Sequence, residues 1–190
     1  MNQIWLVRHG ETEWTLSKKH TSRTDLELTA GGEEQARTLA PMLAQHSFAA
    51  VFTSPRARAR ATAELAGFAD ARLDDELVEV DYGDYEGRTT AEIRQERPDW
   101  LLWRDGSPGG ESIEAAGQRA DHVIERITSF DDDVLVFGHG HFSRVLAARL
   151  IGLPASDGSR LMLSPGTISV VASEHDLRAI RVWNWSPSGP

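Results

Sequence analysis

Histidine follows an apolar run and precedes glycine twice in this chain. Ile4-Trp5-Leu6-Val7 leads into Arg8-His9-Gly10, and Val134-Leu135-Val136-Phe137 leads into Gly138-His139-Gly140-His141. An imidazole beside a guanidinium suits a nucleophile or base next to an anion. The bland alternative is a core histidine with a surface arginine, and Arg-His-Gly alone leaves the two readings level. A third junction shifts the balance. Ala49-Ala50-Val51-Phe52-Thr53 leads into Ser54-Pro55 and then Arg56, Arg58 and Arg60. Residues two apart do not share a helix face. Arg58 therefore points away from the side favoured by either neighbour, and one arginine of the first turn is expected to reach a ligand while the others are solvated.

The elements that position these residues are legible in outline. Each apolar run reads as a short buried strand. Thr29 looks like the N-cap of a helix over 29–45, kinked at Pro41. Ser54 and Pro55 are expected to be the N-cap and first residue of the next helix. Further helices are expected over 90–96, over 112–129 and after His141, the last ending at Gly152-Leu153-Pro154. Trp100, Leu101 and Trp103 suit a hydrophobic cover. Segments 167–172 and 177–183 read as a terminal hairpin or sheet edge. Gly10 is expected to allow a sharp turn beside His9, and Asp131-Asp132-Asp133 to form a solvated turn. Alternating strands and helices predict an α/β fold, a three-layer sandwich with a mostly parallel central sheet and helices on both faces. Residues 1–185 are expected to form one domain and 186–190 a flexible tail. A parallel sheet would bring all three junctions to its carboxyl edge, where α/β proteins place ligands. Two histidines and two arginines converging there offer the N–H donors that phosphoryl oxygens require.

Composition narrows the partners. The chain has 190 residues, 29 acidic against 20 basic, for a net charge of −9. That balance argues against nucleic acid and against anionic membranes as partners. A small anion would need locally concentrated positive charge, and the loop carrying Lys18, Lys19, His20 and Arg23 provides it. There is no cysteine, which excludes thiolate catalysis and cysteine-bound metals. His139 and His141 resemble a metal pair, but no third ligand stands near them in the sequence, so neither metal nor cofactor is expected. No apolar run approaches the roughly 18 residues of a membrane span. No basic segment precedes the first apolar run, so a cytoplasmic location is the default. Oligomeric state is not legible.

At this point the sequence resembles the histidine phosphatase, or phosphoglycerate mutase-like, superfamily. The blocks that carry the resemblance are Arg8-His9-Gly10-Glu11-Thr12 with Trp14, Ser54-Pro55-x-x-Arg58-Ala59-x-x-Thr62-Ala63, Leu77-x-Glu79 with Gly83-x-x-Glu86-Gly87, Pro108-Gly109-Gly110-Glu111-Ser112, and His139-Gly140. They stand in family order across nearly the whole chain. The resemblance implies that His9 attacks phosphorus and becomes a phosphohistidine. Arg8, Arg58 and His139 would hold the phosphoryl oxygens, and Glu79 would serve as acid and base. From the residues alone, Glu79 is not preferred to Asp81 or Asp84. Thr15 stands where mutases of the family commonly have Asn, and Ala61 where Gln is usual. Thr21 and Ser22 match the pocket-lining loop. Gly140 would adjoin the site, and His141 either touches substrate or simply begins a helix. The implied function is a metal-independent phosphomonoesterase acting on a small phosphorylated metabolite, a sugar phosphate or phosphoglycerate derivative. The alternatives are a 2,3-bisphosphoglycerate-dependent phosphoglycerate mutase and a non-catalytic phosphate-binding module.

Overall fold

A computed structural model of the chain describes residues 1–187. Of the expected tail at 186–190, Ser188, Gly189 and Pro190 lie outside the described residues. The sheet has six strands in the order β3-β2-β4-β1-β5-β6. They are β1 (Ile4–Arg8), β2 (Ala50–Thr53), β3 (Arg72–Leu73), β4 (Val134–Gly138), β5 (Ile168–Glu174) and β6 (Leu177–Trp185). β1, β2, β3 and β4 are parallel, and the β5–β6 hairpin runs antiparallel on the β1 side.

Side-chain alternation along β1 builds two cores. Ile4 and Leu6 pack on one face of the sheet, Trp5 and Val7 on the other. The helices are α1 (Glu13–Leu16), α2 (Ala30–Leu43), α3 (Ala57–Leu65), α4 (Thr90–Glu96), α5 (Leu102–Asp105), α6 (Ile113–Thr128) and α7 (Gly140–Leu150). α2 and α3 supply Leu39, Leu43 and Ala63 to the Trp5 face, and α6 and α7 supply Val123, Ile127, Val145 and Leu146 to the Ile4 face. The fold is thus the expected three-layer α/β sandwich. A third cluster, Tyr82, Tyr85, Ile93, Trp100, Leu102 and Ile113, anchors the cover. Leu101 is exposed and takes no part in it. No helix among the described residues is long and apolar enough to cross a membrane.

Several local expectations change. Gly10 is not required for a turn, because its φ is not positive. It is required for a close approach: a Cβ there would lie 2.3 Å from the Gly32 carbonyl oxygen in the first turn of α2. Ser54 is not the cap of α3, which begins at Ala57 with Arg56 as N-cap and no side-chain cap of its own. Asp25, from the loop after α1, instead accepts the Ala57 N–H at 2.8 Å. Asp133 is more than a solvated turn residue, since its carboxylate accepts the Gln3 N–H at 2.8 Å and ties down the start of β1. α7 ends as expected, with Gly152 at φ 78°. Bonds from Leu153 N to the Ala148 carbonyl and from Gly152 N to the Arg149 carbonyl close it.

Candidate active site

Parallel pairing puts the three junctions side by side. β1 and β4 pair with Arg8 opposite Gly138, so His9 and His139 leave the sheet together. The His9 N–H donates to the Gly138 carbonyl at 3.0 Å, and the Ser54 N–H to the Phe137 carbonyl at 3.0 Å. The His9 and His139 rings are 5.2 Å apart, centre to centre. Thr62, on α3, receives the Gly10 N–H at 3.0 Å and so holds the chain just past His9.

Hydrogen bonding sets the state of each imidazole. His9 Nδ1 lies 2.7 Å from the Gly10 carbonyl, an acceptor, so Nδ1 carries the proton and Nε2 keeps its lone pair. His139 Nε2 lies 2.7 Å from the Ser54 hydroxyl. Its Nδ1 is buried with no partner among the described residues. The same is true of Arg8 Nε and Arg58 Nε. Arg58 is 0% exposed, and its fork donates to the Thr24, Thr21 and Ser22 carbonyls at 3.1, 3.3 and 3.4 Å. Arg8 donates through Nη1 to the Leu163 carbonyl. Two buried guanidinium N–H groups near His9, with a His139 Nδ1 that donates when the Ser54 hydroxyl gives its hydrogen to Nε2, make an arrangement complementary to an oxyanion. Arg60 is exposed as expected. Arg56 is not solvated as expected, because its Nε is buried with no partner among the described residues and its charge is felt at His139.

Glu79 is placed by a helix end. α7 has His139 as N-cap with no side-chain cap, so its first N–H groups need an acceptor from elsewhere. Glu79 provides it: Oε1 accepts from Phe142 N at 2.7 Å and Val80 N at 2.9 Å, and Oε2 from His141 N at 3.0 Å. Asp81 is spent on Arg23 and on the Gly83 N–H. A bidentate pair, Arg119 Nε and Nη2 with Glu111 at 2.9 and 2.7 Å, backs the loop that carries Glu79, and Arg119 also donates to the Glu76 and Val78 carbonyls.

A cavity of about 340 Å³ opens over these groups. Arg8, His9, Glu79, Gly140, His141, Thr15 and Thr21 line it, as do Lys18, Lys19 and His20. Arg58 and His139 are fully buried and do not line it; each stands behind a residue that does, His139 behind His9 and Arg58 behind Thr21, whose carbonyl it bonds. Ser22, expected at the pocket, does not line it. Its N–H and hydroxyl both go to Glu86, at 2.9 and 2.7 Å. Thr15 reaches the wall, but its hydroxyl donates to the Thr12 carbonyl and accepts the Thr12 N–H, the bond that completes the capping box of α1. Arg23 leaves the basic cluster to pair with Asp81 at 2.5 Å. Tyr82 and Arg144 also line the cavity, and sequence reasoning missed both. Tyr82 OH lies 2.6 Å from His141 Nδ1. The one available signal was Arg144 standing three residues past His141, one helical turn on the same face. Among the described residues no three His, Asp or Glu side chains are grouped to hold a metal ion. His139 and His141, which resembled a metal pair, engage Ser54 and Tyr82 instead.

Burial shapes the charge states. Burial, then the charges of Arg58 and Arg8, hold His9 well below the ordinary histidine value. His139 and His141 are likewise pushed well down, mainly by burial, and burial brings His20 down to about 4. These rings stay neutral in the fold at pH values where the unfolded chain protonates them. As pH falls through about 6.5 the unfolded state binds more protons, so stability falls with acid, approaching at most about 1.4 kcal/mol per pH unit for each ring. Denaturant titrations between about pH 7 and pH 5 are expected to show a falling midpoint. A flat midpoint would mean that the rings are protonated in the folded state.

Known proteins show the same architecture. The sequence pattern of the histidine phosphatase superfamily (branch 1) matches residues 4–186. An acid phosphatase of Mycobacterium tuberculosis is 40% identical over 187 residues, covering 95% of this chain and 91% of that protein. A sedoheptulose 1,7-bisphosphatase of Saccharomyces cerevisiae is 38% identical over 182 residues, covering 78% of this chain and 67% of that protein. A solved structure of a Mycobacterium tuberculosis open reading frame superposes with a TM-score of 0.94 at 38% identity, over 97% of this chain and 98% of that one. With the whole span matched and the junction geometry in place, the chain belongs to the histidine phosphatase superfamily, branch 1.

Proposed function

We propose that the protein is a metal-independent phosphomonoesterase that hydrolyses a small phosphorylated metabolite, a sugar phosphate or phosphoglycerate derivative, through a phosphohistidine on His9. His9 Nε2 attacks phosphorus as the ester P–O bond breaks. Arg8, Arg58 and His139 hold the three equatorial oxygens, where charge spreads in the transition state. Glu79 passes a proton to the departing oxygen, then takes one from the water that cleaves the phosphorus–nitrogen bond. Phosphate leaves and His9 is regenerated. The observation that carries the reading is the buried guanidinium donors Arg8 Nε and Arg58 Nε and the open His139 Nδ1, none with a partner among the described residues, near a His9 whose proton sits on Nδ1.

Hydrolysis is favoured over mutase chemistry by the cover. A mutase needs free cations within the segment between Gly87 and Gly110 itself, to keep the intermediate from water while a whole phosphorylated group turns around. The arginines of the cover are engaged: Arg88 with Glu96 at 2.6 Å and Arg104 with Asp105 at 2.8 Å. Arg94 donates to the Trp100 carbonyl and Arg97 to the Tyr85 hydroxyl.

The test is phosphate release from a panel of phosphorylated metabolites in excess chelator, with exchange between 2- and 3-phosphoglycerate followed in parallel. Release is expected to persist under chelation and to exceed exchange. Arg58→Ala is expected to lose on the order of a hundredfold or more in kcat/KM, as for other oxyanion donors, and Arg60→Ala less than about twofold. Exchange outpacing release would move the assignment to mutase, and equal effects at positions 58 and 60 would remove Arg58 from the site.

A further inference from the structure

The phosphoryl site does not account for Arg144. This residue lies on α7 and lines the same cavity as His9. Its guanidinium stacks over the Trp103 ring at 4.5 Å. Nε donates to the Gly158 carbonyl at 3.0 Å and Nη2 to the Ser159 carbonyl at 3.1 Å. These contacts fix the plane of the fork and leave Nη1 without a partner among the described residues. Arg119, Arg126 and Arg149 each pair with a carboxylate. Arg144, Lys18 and Lys19 form no ion pair among the described residues, although acidic groups outnumber basic ones by 29 to 20. A half-buried guanidinium has lost part of its hydration, and an anion on its open edge would restore it.

Position along α7 gives the scale. Gly140 packs against Arg8, since a Cβ there would sit 3.2 Å from the guanidinium carbon, so it marks the phosphoryl end of the cavity. Arg144 is four residues on, about 6 Å farther along the helix axis. That separation suits the two ends of a short carbon skeleton. His141, Tyr82 and His20 line the cavity as well and offer polar edges to hydroxyl groups. Of the charged groups near Arg144, Glu79 is already held by three backbone N–H groups, and Arg8 has the same sign.

We propose that Arg144, assisted by Lys18 and Lys19, is the specificity-determining cation for a second anionic group at the far end of the substrate, a carboxylate or a second phosphate. The proposal rests on the phosphatase reading above and narrows it to doubly anionic small molecules. Planar bidentate recognition is available to Arg144 because its stem and stacking face are already fixed.

Two substrate pairs differ in that group. One is 3-phosphoglycerate against glycerol 3-phosphate, the other fructose 1,6-bisphosphate against fructose 6-phosphate. The wild type is expected to prefer the doubly anionic member of at least one pair by roughly 10- to 100-fold in kcat/KM, the range of a charge-assisted bond. Whichever pair responds identifies carboxylate or phosphate as the group received. Arg144→Met is expected to bring that ratio close to one, and Arg144→Lys to restore part of it. A merely structural Arg144, holding the 155–160 turn, would lower both members together and leave the ratio intact. That outcome, or a wild-type ratio near one in both pairs, overturns the proposal. Calorimetry with 3-phosphonopropionate against propylphosphonate needs no turnover. A binding preference that depends on Arg144 without phosphate release from any substrate would leave the Arg144 assignment standing and remove the phosphatase reading. Phosphate release without such a preference would do the reverse.

Discussion

His9→Ala is expected to lower kcat for phosphate release on the order of 10⁴- to 10⁶-fold, the scale on which enzymes lose rate when a covalent nucleophile is removed. The geometry behind the expectation is local. The Gly10 carbonyl fixes the His9 tautomer, and burial with two nearby guanidiniums keeps the ring neutral well into acid. A neutral ring with a free Nε2 is the form able to attack phosphorus, so the proposed nucleophile would stay available below its ordinary titration range. The intermediate is expected to be labile in acid and stable in base, and rapid quench with labelled substrate followed by peptide mapping should place the label on His9. Label on a serine, or full turnover with no label on any residue, would falsify the covalent assignment.

Glu79→Gln is expected to lower the first-turnover rate by about 10²- to 10⁴-fold on alkyl phosphates, whose leaving oxygen needs a proton. On p-nitrophenyl phosphate, whose leaving group needs none, the first turnover should fall far less. Later turnovers should still be slow, because water must be activated to release phosphate, so a burst of nitrophenol is expected. The carboxamide also carries a cost in packing. All three partners of Glu79 are N–H donors, and the amide nitrogen would face one of them. A purely structural loss would depress both substrates alike and give no burst. The leaving-group split is therefore the decisive measurement.

Much of the site is legible in the order of its residues. Strand-to-helix junctions are local events, written in short apolar runs followed by abrupt polarity. The parallel sheet that must collect them follows from alternation of elements. For that reason spacing and topology bring Arg8, His9, Arg58 and His139 together; Arg8, His9 and His139 stand at the carboxyl ends of β1 and β4, and Arg58 in the first turn of α3 after β2. The terminal hairpin, the cap at Thr29 and the start of α6 at Ser112 are equally local and equally legible.

What spacing could not decide was which partner each polar group takes across the chain. Ser54 has the residue type of a helix cap, yet it bonds to His139, 85 positions away, while Asp25 caps α3. Ser22 has the type of a phosphate donor, yet Glu86 consumes it. Gly10 looks like a turn residue, yet it serves a backbone contact with α2.

By itself the sequence determined the strand junctions, the layer order of helices about the sheet, and the histidines and arginines available for a phosphoryl group. These depend on hydrophobic periodicity and on chain direction, which act over a few residues. The tertiary structure put Glu79, and neither Asp81 nor Asp84, on the cavity wall, and only it placed Tyr82 and Arg144 there. A carboxylate's role here depends on which helix end lacks an acceptor and which arginine lies near. Glu79 meets the bare N-terminus of α7, and Asp81 meets Arg23. The physical reason is that hydrogen bonds and ion pairs form between groups brought together by folding, and their separation along the chain carries no record of it.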